Sequence, residues 1–398
     1  MHIALVTPAW PPNLHSNGIV TYVHWMRHGL SRLGCRVSVF SVLVDPSIQD
    51  PDIHRISNGT LSAQLAKLLA ILSRNNKSVF DYGSAIAAAI AKAHRRTPID
   101  IIEMEESFGW AARVREETGL PLVVKLHGPA FLHLVEEEQA TPFGKEKILR
   151  EGKALARLPV ITSPSKGHLT ATLTRYGLRP ALAEHVDNPL GLPSQTPLWE
   201  LAHCNLDTVL FVGRFDKVKG GDVVIKAFQI LHHRRPSLRL LFVGPDEGLI
   251  SEDGSRMTRD AYINSMQDNA VADAMTFRGR LAPEEIGILR SRALCTVVAS
   301  RRENQSYTAV EAMLQSCPVV FTDASGLTEL VEPGVNGLMA KAGDFEDLAD
   351  KIWQIVEDPA LGERLGKQAR KFALHRHDPV AVASKSLDVY RRTIALAR

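Results

Sequence analysis

The chain has 398 residues, 45% hydrophobic and 23% charged, ordinary globular values that exclude wholesale disorder. Its 47 Lys and Arg against 44 Asp and Glu leave a net charge of +3, too little for a charge-driven nucleic-acid binder. A chain of this length suits two domains, each with a sizeable core.

In chain order, short apolar strands alternate with helical stretches, the signature of parallel α/β sheets. The first strand, Ile3 to Pro8, begins without a basic region followed by a long apolar segment. No apolar run reaches the roughly 20 residues that span a bilayer, so a cytoplasmic protein is expected. Further strands are predicted at Val37 to Val42, Ile99 to Met104, Leu122 to His127, Val160 to Pro164 and His185 to Pro189. Residues Leu61 to Leu72 read as a helix packed in the first domain, although their apolar positions beside Lys67 and Arg74 also suit contact with an anionic membrane surface. Asn188 to Pro197 carries prolines and a glycine that continue neither element, so a linker is expected there, dividing the chain at 193/194. A second series of strands follows at Thr208 to Gly213, Leu238 to Gly244, Met275 to Arg278, Cys295 to Ala299, Pro318 to Thr322 and Gly337 to Ala340. Each series matches one doubly wound domain. The stretch Pro379 to Arg398 has a helical pattern through Val380, Ala383, Leu387, Tyr390 and Ile394.

Residues with chemistry cluster at the predicted carboxyl ends of strands, where open parallel sheets bind ligands. Gly18, after the first strand, is a weak phosphate-approach signal. His127 ends the fourth strand, a position that faces the ligand crevice rather than the core. In the second series, Gly213 to Asp222 offers two loop glycines for close backbone approach and places Arg214 and Lys219 at a strand end, a diphosphate site in outline. The alternative is that these cations merely pair with Asp216 and Asp222. Arg280 and Leu281 follow another strand and could present backbone groups to a base.

Two glutamates, Glu303 and Glu311, flank a strand-to-helix turn with Ser306 as its predicted N-cap. The helix start suits a phosphate, with Glu303 reaching hydroxyls on one side and Glu311 on the other. Taken alone, the pair reads as two solvated surface charges. Metal readings are weaker. Asp50-Pro51-Asp52 sits in a proline loop, and neither His24 with His28 nor His375 with His377 has a third ligand. The four cysteines are far apart and read as reduced, mostly buried thiols. Tyr22, His24 and Trp25, and the segment Glu105 to Trp110, are acceptor-side candidates by position.

Together, Gly18, His127-Gly128, Val212-Gly213-Arg214, Lys219-Gly220, Gly279, Glu303 and Glu311-Ala312-Met313 resemble the retaining GT-B glycosyltransferases of family 4. The match continues through Pro318-Val319-Val320, Gly326, Glu329 and Pro333 to Leu338, so it covers nearly the whole chain. The resemblance implies an α/β GT-B fold: two facing Rossmann-like domains with parallel sheets and an interdomain cleft. The first would hold the acceptor and receive the final helix, and the second would hold the nucleotide-sugar donor. It assigns Arg214 and Lys219 to the donor diphosphate, Glu303 to hydroxyls of the transferred sugar and Glu311 to the ribose. The backbone of Gln305, Ser306, Tyr307 and Thr308 would border the phosphates and sugar, with Arg280 and Leu281 near the base. His127 would contact the sugar near its reacting carbon, and Gly18 would sit beside the phosphate. Three family glycines are replaced here, by Asn17, Ser306 and Ser325.

The function expected is metal-independent, retaining transfer of a hexose-type sugar from a UDP- or GDP-sugar to a glycan, lipid or small-molecule acceptor, with no tightly bound cofactor and no nucleic acid. A lipid acceptor would bring the enzyme to the inner membrane surface. The alternatives are a sugar-nucleotide epimerase, a phosphorylase, and a non-catalytic sugar-binding protein on the same architecture. A phosphorylase needs a cofactor-bearing lysine, which the sequence does not mark.

Overall fold

The structure, a computed structural model, describes residues 1–12, 17–57, 82–134, 136, 139, 141–193, 195–251 and 254–397. The chain forms two compact units, Met1–Pro189 with Pro379–Arg398, and Leu190–Asp378.

The first unit holds β1 (His2–Trp10), β2 (Arg36–Val44), β3 (Ile53–Arg55), β4 (Ile101–Glu105), β5 (Leu122–Lys125), β6 (Val160–Ser163) and β7 (Leu182–His185). They form one parallel sheet in the order β3-β2-β1-β4-β5-β6-β7. Because helices cover the sheet, β5 and β6 are buried at every position, the polar Lys125, Thr162 and Ser163 included, and show no alternation of buried and exposed residues. Ala4, Val6, Phe40, Ile102, Met104, Val124 and Ile161 belong to its core. The helix Pro379–Leu396 packs on the helix Gly18–Arg32. Their approach is close enough that a Cβ at Gly29 would lie 2.0 Å from the Pro379 carbonyl oxygen, so only glycine fits.

The second unit contains β8 (Asn205–Val212), β9 (Arg239–Val243), β10 (Leu249–Ile250), β11 (Arg256–Met257), β12 (Met275–Arg278), β13 (Ala293–Val298), β14 (Val319–Thr322) and β15 (Leu338–Ala340). Six of them make a parallel sheet ordered β12-β9-β8-β13-β14-β15, while β10 and β11 pair as an antiparallel hairpin.

One expectation needs correction. The strand expected at His185 to Pro189 is β7, Leu182–His185, and pairing ends with the Val186 N–H on the Ser163 carbonyl because the partner strand β6 itself ends at Ser163 and the chain turns into a helix capped by Ser165. The edge strand β3 and the β10/β11 hairpin escaped prediction, having only two or three residues each, too few to show a period. The helix expected at Leu61 to Leu72 lies outside the described residues.

Candidate active site

In the second unit the sheet order reverses between β8 and β13, which places the ligand crevice of that unit outside their carboxyl ends. The loop after β8 reaches Gly220, at φ +71°, where a Cβ would lie 2.1 Å from the Ala299 carbonyl oxygen. Glycine therefore lets this loop touch the backbone at the end of β13, and the candidates Lys219 and Glu303 meet there. Lys219 Nζ donates to Glu303 Oε1, which also accepts from Ser300 Oγ at 3.0 Å. Asp216 shapes the loop by accepting from the Lys219 backbone N–H and from Arg214 Nε, both at 2.6 Å. Arg301 forks onto Asp222 at 2.8 and 2.7 Å. Arg214 does pair with Asp216, whereas Lys219 joins Glu303 instead of Asp222.

The turn carrying Glu303 is held from its other side. The Gly326 N–H donates to the Glu303 carbonyl at 3.0 Å, and a Cβ at Gly326 would sit 1.9 Å from the Asn304 carbonyl oxygen. Ser325 Oγ also donates to that Glu303 carbonyl, at 3.4 Å. Ser306 caps the helix Tyr307–Leu314, its hydroxyl accepting from the Ala309 N–H. The N–H groups of Tyr307 and Thr308 lie in the first turn, where no helical carbonyl reaches them. The Gln305 side chain points inward, its Nε2 3.4 Å from Nδ1 of the buried His377. Glu311, one helical turn further on, keeps 29% of its side chain exposed and accepts from Arg290 Nη2 at 3.1 Å. Arg280 is exposed at the end of β12, while the Leu281 side chain packs against Leu210, Val243 and Ala293.

In the first unit the order reverses between β1 and β4. Gly18 opens the helix Gly18–Arg32, and Asn17 is its N-cap, accepting from the Ile19 N–H at 2.8 Å. His127 follows β5. Its backbone N–H and that of Gly128 donate to the two carboxylate oxygens of buried Glu106, at 2.8 and 2.7 Å. The His127 ring meets the Tyr22 ring edge-on at 4.8 Å, and the Tyr22 hydroxyl donates to Glu103 at 2.7 Å. Tyr22 is therefore buried support for His127 rather than an acceptor surface. Burial, with Lys125 nearby, pulls the His127 imidazole down to about 3, so it is neutral at physiological pH. It can donate one hydrogen bond and accept another, but brings no charge.

Position alone marks the segment that holds Glu106, and nothing in the sequence marks Glu151. Glu151 is fully buried and accepts from the Ala130 N–H at 2.7 Å, so the two carboxylates hold the His127-to-Ala130 turn at both ends. Burial, then the charges of Glu105 and Glu151, push Glu106 up to about 8, against the two N–H bonds it accepts. Burial likewise pushes Glu151 up to about 7. The available sequence signal was a pair of adjacent glutamates ending a buried parallel strand.

The remaining candidates have structural partners. Asp50 pairs with Arg27 at 2.6 Å and Asp52 with Arg36 at 2.8 Å. His24 packs against Trp25, with ring centroids 5.0 Å apart. Among the described residues no three His, Cys, Asp or Glu side chains gather to suit a metal ion, and no helix is long and apolar enough to cross a membrane. All four cysteines are free thiols, with Cys295 and Cys317 buried.

Two family models match the chain: Glycosyltransferase Family 4 over residues 16–190 and Glycosyl transferases group 1 over residues 203–372. The MMP alpha-(1->4)-mannosyltransferase of Mycolicibacterium hassiacum is 25% identical over 442 residues, covering 99% of both chains. Among solved structures, the sucrose-phosphate synthase of Thermosynechococcus elongatus superposes with a TM-score of 0.74 at 21% identity, over 99% of each chain. HepE of Anabaena, in complex with UDP-glucose, superposes at 0.66 and 19% identity, over 98% of this chain and all of that one. Two doubly wound parallel sheets, the two matched models and these likenesses lead to one conclusion: the chain belongs to the family 4 glycosyltransferases of the GT-B fold.

Proposed function

We propose that the protein is a retaining glycosyltransferase that moves a hexose-type sugar from a UDP- or GDP-sugar to a glycan, lipid or small-molecule acceptor, without a divalent metal. The observation that carries this reading is the meeting of Lys219 and Glu303 at the point where the second sheet reverses its order. A cation for phosphate and a carboxylate for sugar hydroxyls stand side by side there, next to a capped helix start. The UDP-glucose held by HepE lends support to the donor class.

In this reading Arg214, Lys219 and the N–H groups of Tyr307 and Thr308 bind the donor diphosphate. They oppose the charge that develops as the bond from the sugar's anomeric carbon to the phosphate oxygen breaks. Gly18 borders the phosphate, Arg280 and Leu281 lie toward the base, Glu303 holds the sugar hydroxyls and Glu311 the ribose. His127 contacts the sugar as a neutral hydrogen-bonding group. The transition state is oxocarbenium-like. The acceptor oxygen bonds to the anomeric carbon on the face that the phosphate leaves, and its proton passes to a leaving-phosphate oxygen. The enzyme works in the cytoplasm, and at the inner membrane surface when the acceptor is a lipid.

A panel of UDP-, GDP- and ADP-sugars with EDTA present tests the reading. The expected result is slow release of nucleoside diphosphate from one donor with retention at the sugar. No binding or turnover with any donor would overturn it, and an epimerised donor recovered intact would favour the epimerase alternative.

A further inference from the structure

The helix that ends at Arg292 buries a cation beneath the helix Tyr307–Leu314. Arg290 is 2% exposed, among the largest fully buried side chains of the protein. Its Nη1 donates to Gln315 Oε1 at 2.7 Å and its Nη2 to Glu311 Oε2 at 3.1 Å, while its Nε has no hydrogen-bond partner among the described residues. A buried guanidinium with an unmatched donor is a costly choice where an apolar side chain would pack. Gln315 fixes the geometry further. Its Nε2 donates to the carbonyls of Pro197 and Gly287, both at 2.9 Å, which orients the amide and leaves its oxygen facing Arg290. With Nη1 held in this way, the planar fork can aim Nη2 in one direction, toward Glu311.

Building on the donor-site reading above, we infer that Arg290 is a positioning residue that holds the Glu311 carboxylate in the orientation that accepts the vicinal hydroxyls of a ribonucleotide. A glutamate on a helix surface otherwise samples several rotamers and loses that freedom on binding. Arg290 anchors one carboxylate oxygen before the ligand arrives and leaves the other for the ribose.

Calorimetry with UDP and GDP and with their 2′,3′-dideoxy counterparts tests the inference on the full chain. For the nucleotide that the native protein binds, Arg290→Gln should weaken the ribose form about tenfold and leave the dideoxy form within about twofold. Equal weakening of both forms would reduce Arg290 to a structural support, and no weakening of either would remove it from the site. Each result overturns the inference. If Arg290→Gln does not fold, Arg290→Lys is read by the same ratio, because it keeps the charge and loses the fork. Failure of the native protein to bind either ribonucleotide would instead overturn the donor-site reading itself.

Discussion

The two units share one design, a doubly wound parallel sheet, yet they treat charge at their strand ends in opposite ways. In the second unit four charges at or near these ends are each matched by one of opposite sign: Lys219 with Glu303, Arg214 with Asp216, Arg301 with Asp222 and Arg290 with Glu311. In the first, Glu105, Glu106 and Glu151 are all pushed up by burial, and His127 and Lys125 are pulled down. That unit therefore favours the uncharged form of most groups around the His127 turn. The contrast follows from the proposed work. In that reading a leaving diphosphate needs fixed charges that remain charged, whereas the first unit's contact with the sugar near its reacting carbon is made by a neutral hydrogen-bonding group, His127, whose backbone Glu106 holds.

The largest effect should come from the charged side. Lys219→Met removes the cation proposed for the diphosphate and leaves Glu303 without its ion-pair partner, so steady-state transfer should fall about a hundredfold to a thousandfold. His127→Gln keeps a neutral hydrogen-bonding group and should cost less. If the histidine change proved the more damaging of the two, the division of labour between the units would be reversed.

A smaller effect is expected at Glu106, whose carboxylate serves two consecutive backbone N–H groups. Glu106→Gln offers one acceptor oxygen where two were used and should lower stability by about 1–3 kcal/mol in urea unfolding, with UDP or GDP affinity unchanged. Weakened nucleotide binding would break the comparison. The pH dependence sharpens it. Glu106 and Glu151 titrate near about 8 and about 7 when folded, against 4.5 for an ordinary glutamate, so the folded state holds protons that the unfolded chain has released. Stability from these groups is present at low pH and is lost as pH rises through their folded values. His127 acts in the opposite sense only below its ordinary 6.5, and Lys125 only above about 8. Between pH 6.5 and 8, therefore, unfolding free energy should decline, and Glu106→Gln should flatten that decline.

The second unit was the more legible from sequence, for a physical reason. Its groups lie on loops at strand ends, where charged residues and glycines stand out against apolar strands, so the loop positions of Arg214, Lys219 and Glu303 and the Ser306 cap were legible, while the roles proposed for them come from the family resemblance. Two things there were hidden. Arg290 sits inside a helix whose sequence gives no sign that the side chain is buried, and its meeting with Gln315 and Glu311 depends on how two helices pack. In the first unit the His127 position was legible, but its support was not. Glu106 and Glu151 look like surface glutamates, and only the tertiary structure reveals that both serve backbone N–H groups of one turn.

The smallest effect concerns the three positions where family glycines are replaced. Asn17 and Ser306 each cap a helix, and Ser325 donates to the carbonyl of Glu303. If capping accounts for Ser306, then Ser306→Ala should cost about 1 kcal/mol and Ser306→Gly only a few tenths, because glycine is tolerated at an N-cap while alanine is not. Differential scanning calorimetry would read both. The alternative is that the serine bulk selects the donor sugar, and a donor panel run on Ser306→Gly separates the two. Under capping, the ranking of UDP- and GDP-sugars stays as in the native protein, because the glycine leaves the backbone N–H groups of Tyr307 and Thr308 where they were. A changed ranking at unaltered stability would make Ser306 a selector of the sugar, and would move part of donor recognition from the matched charges to the shape of one turn.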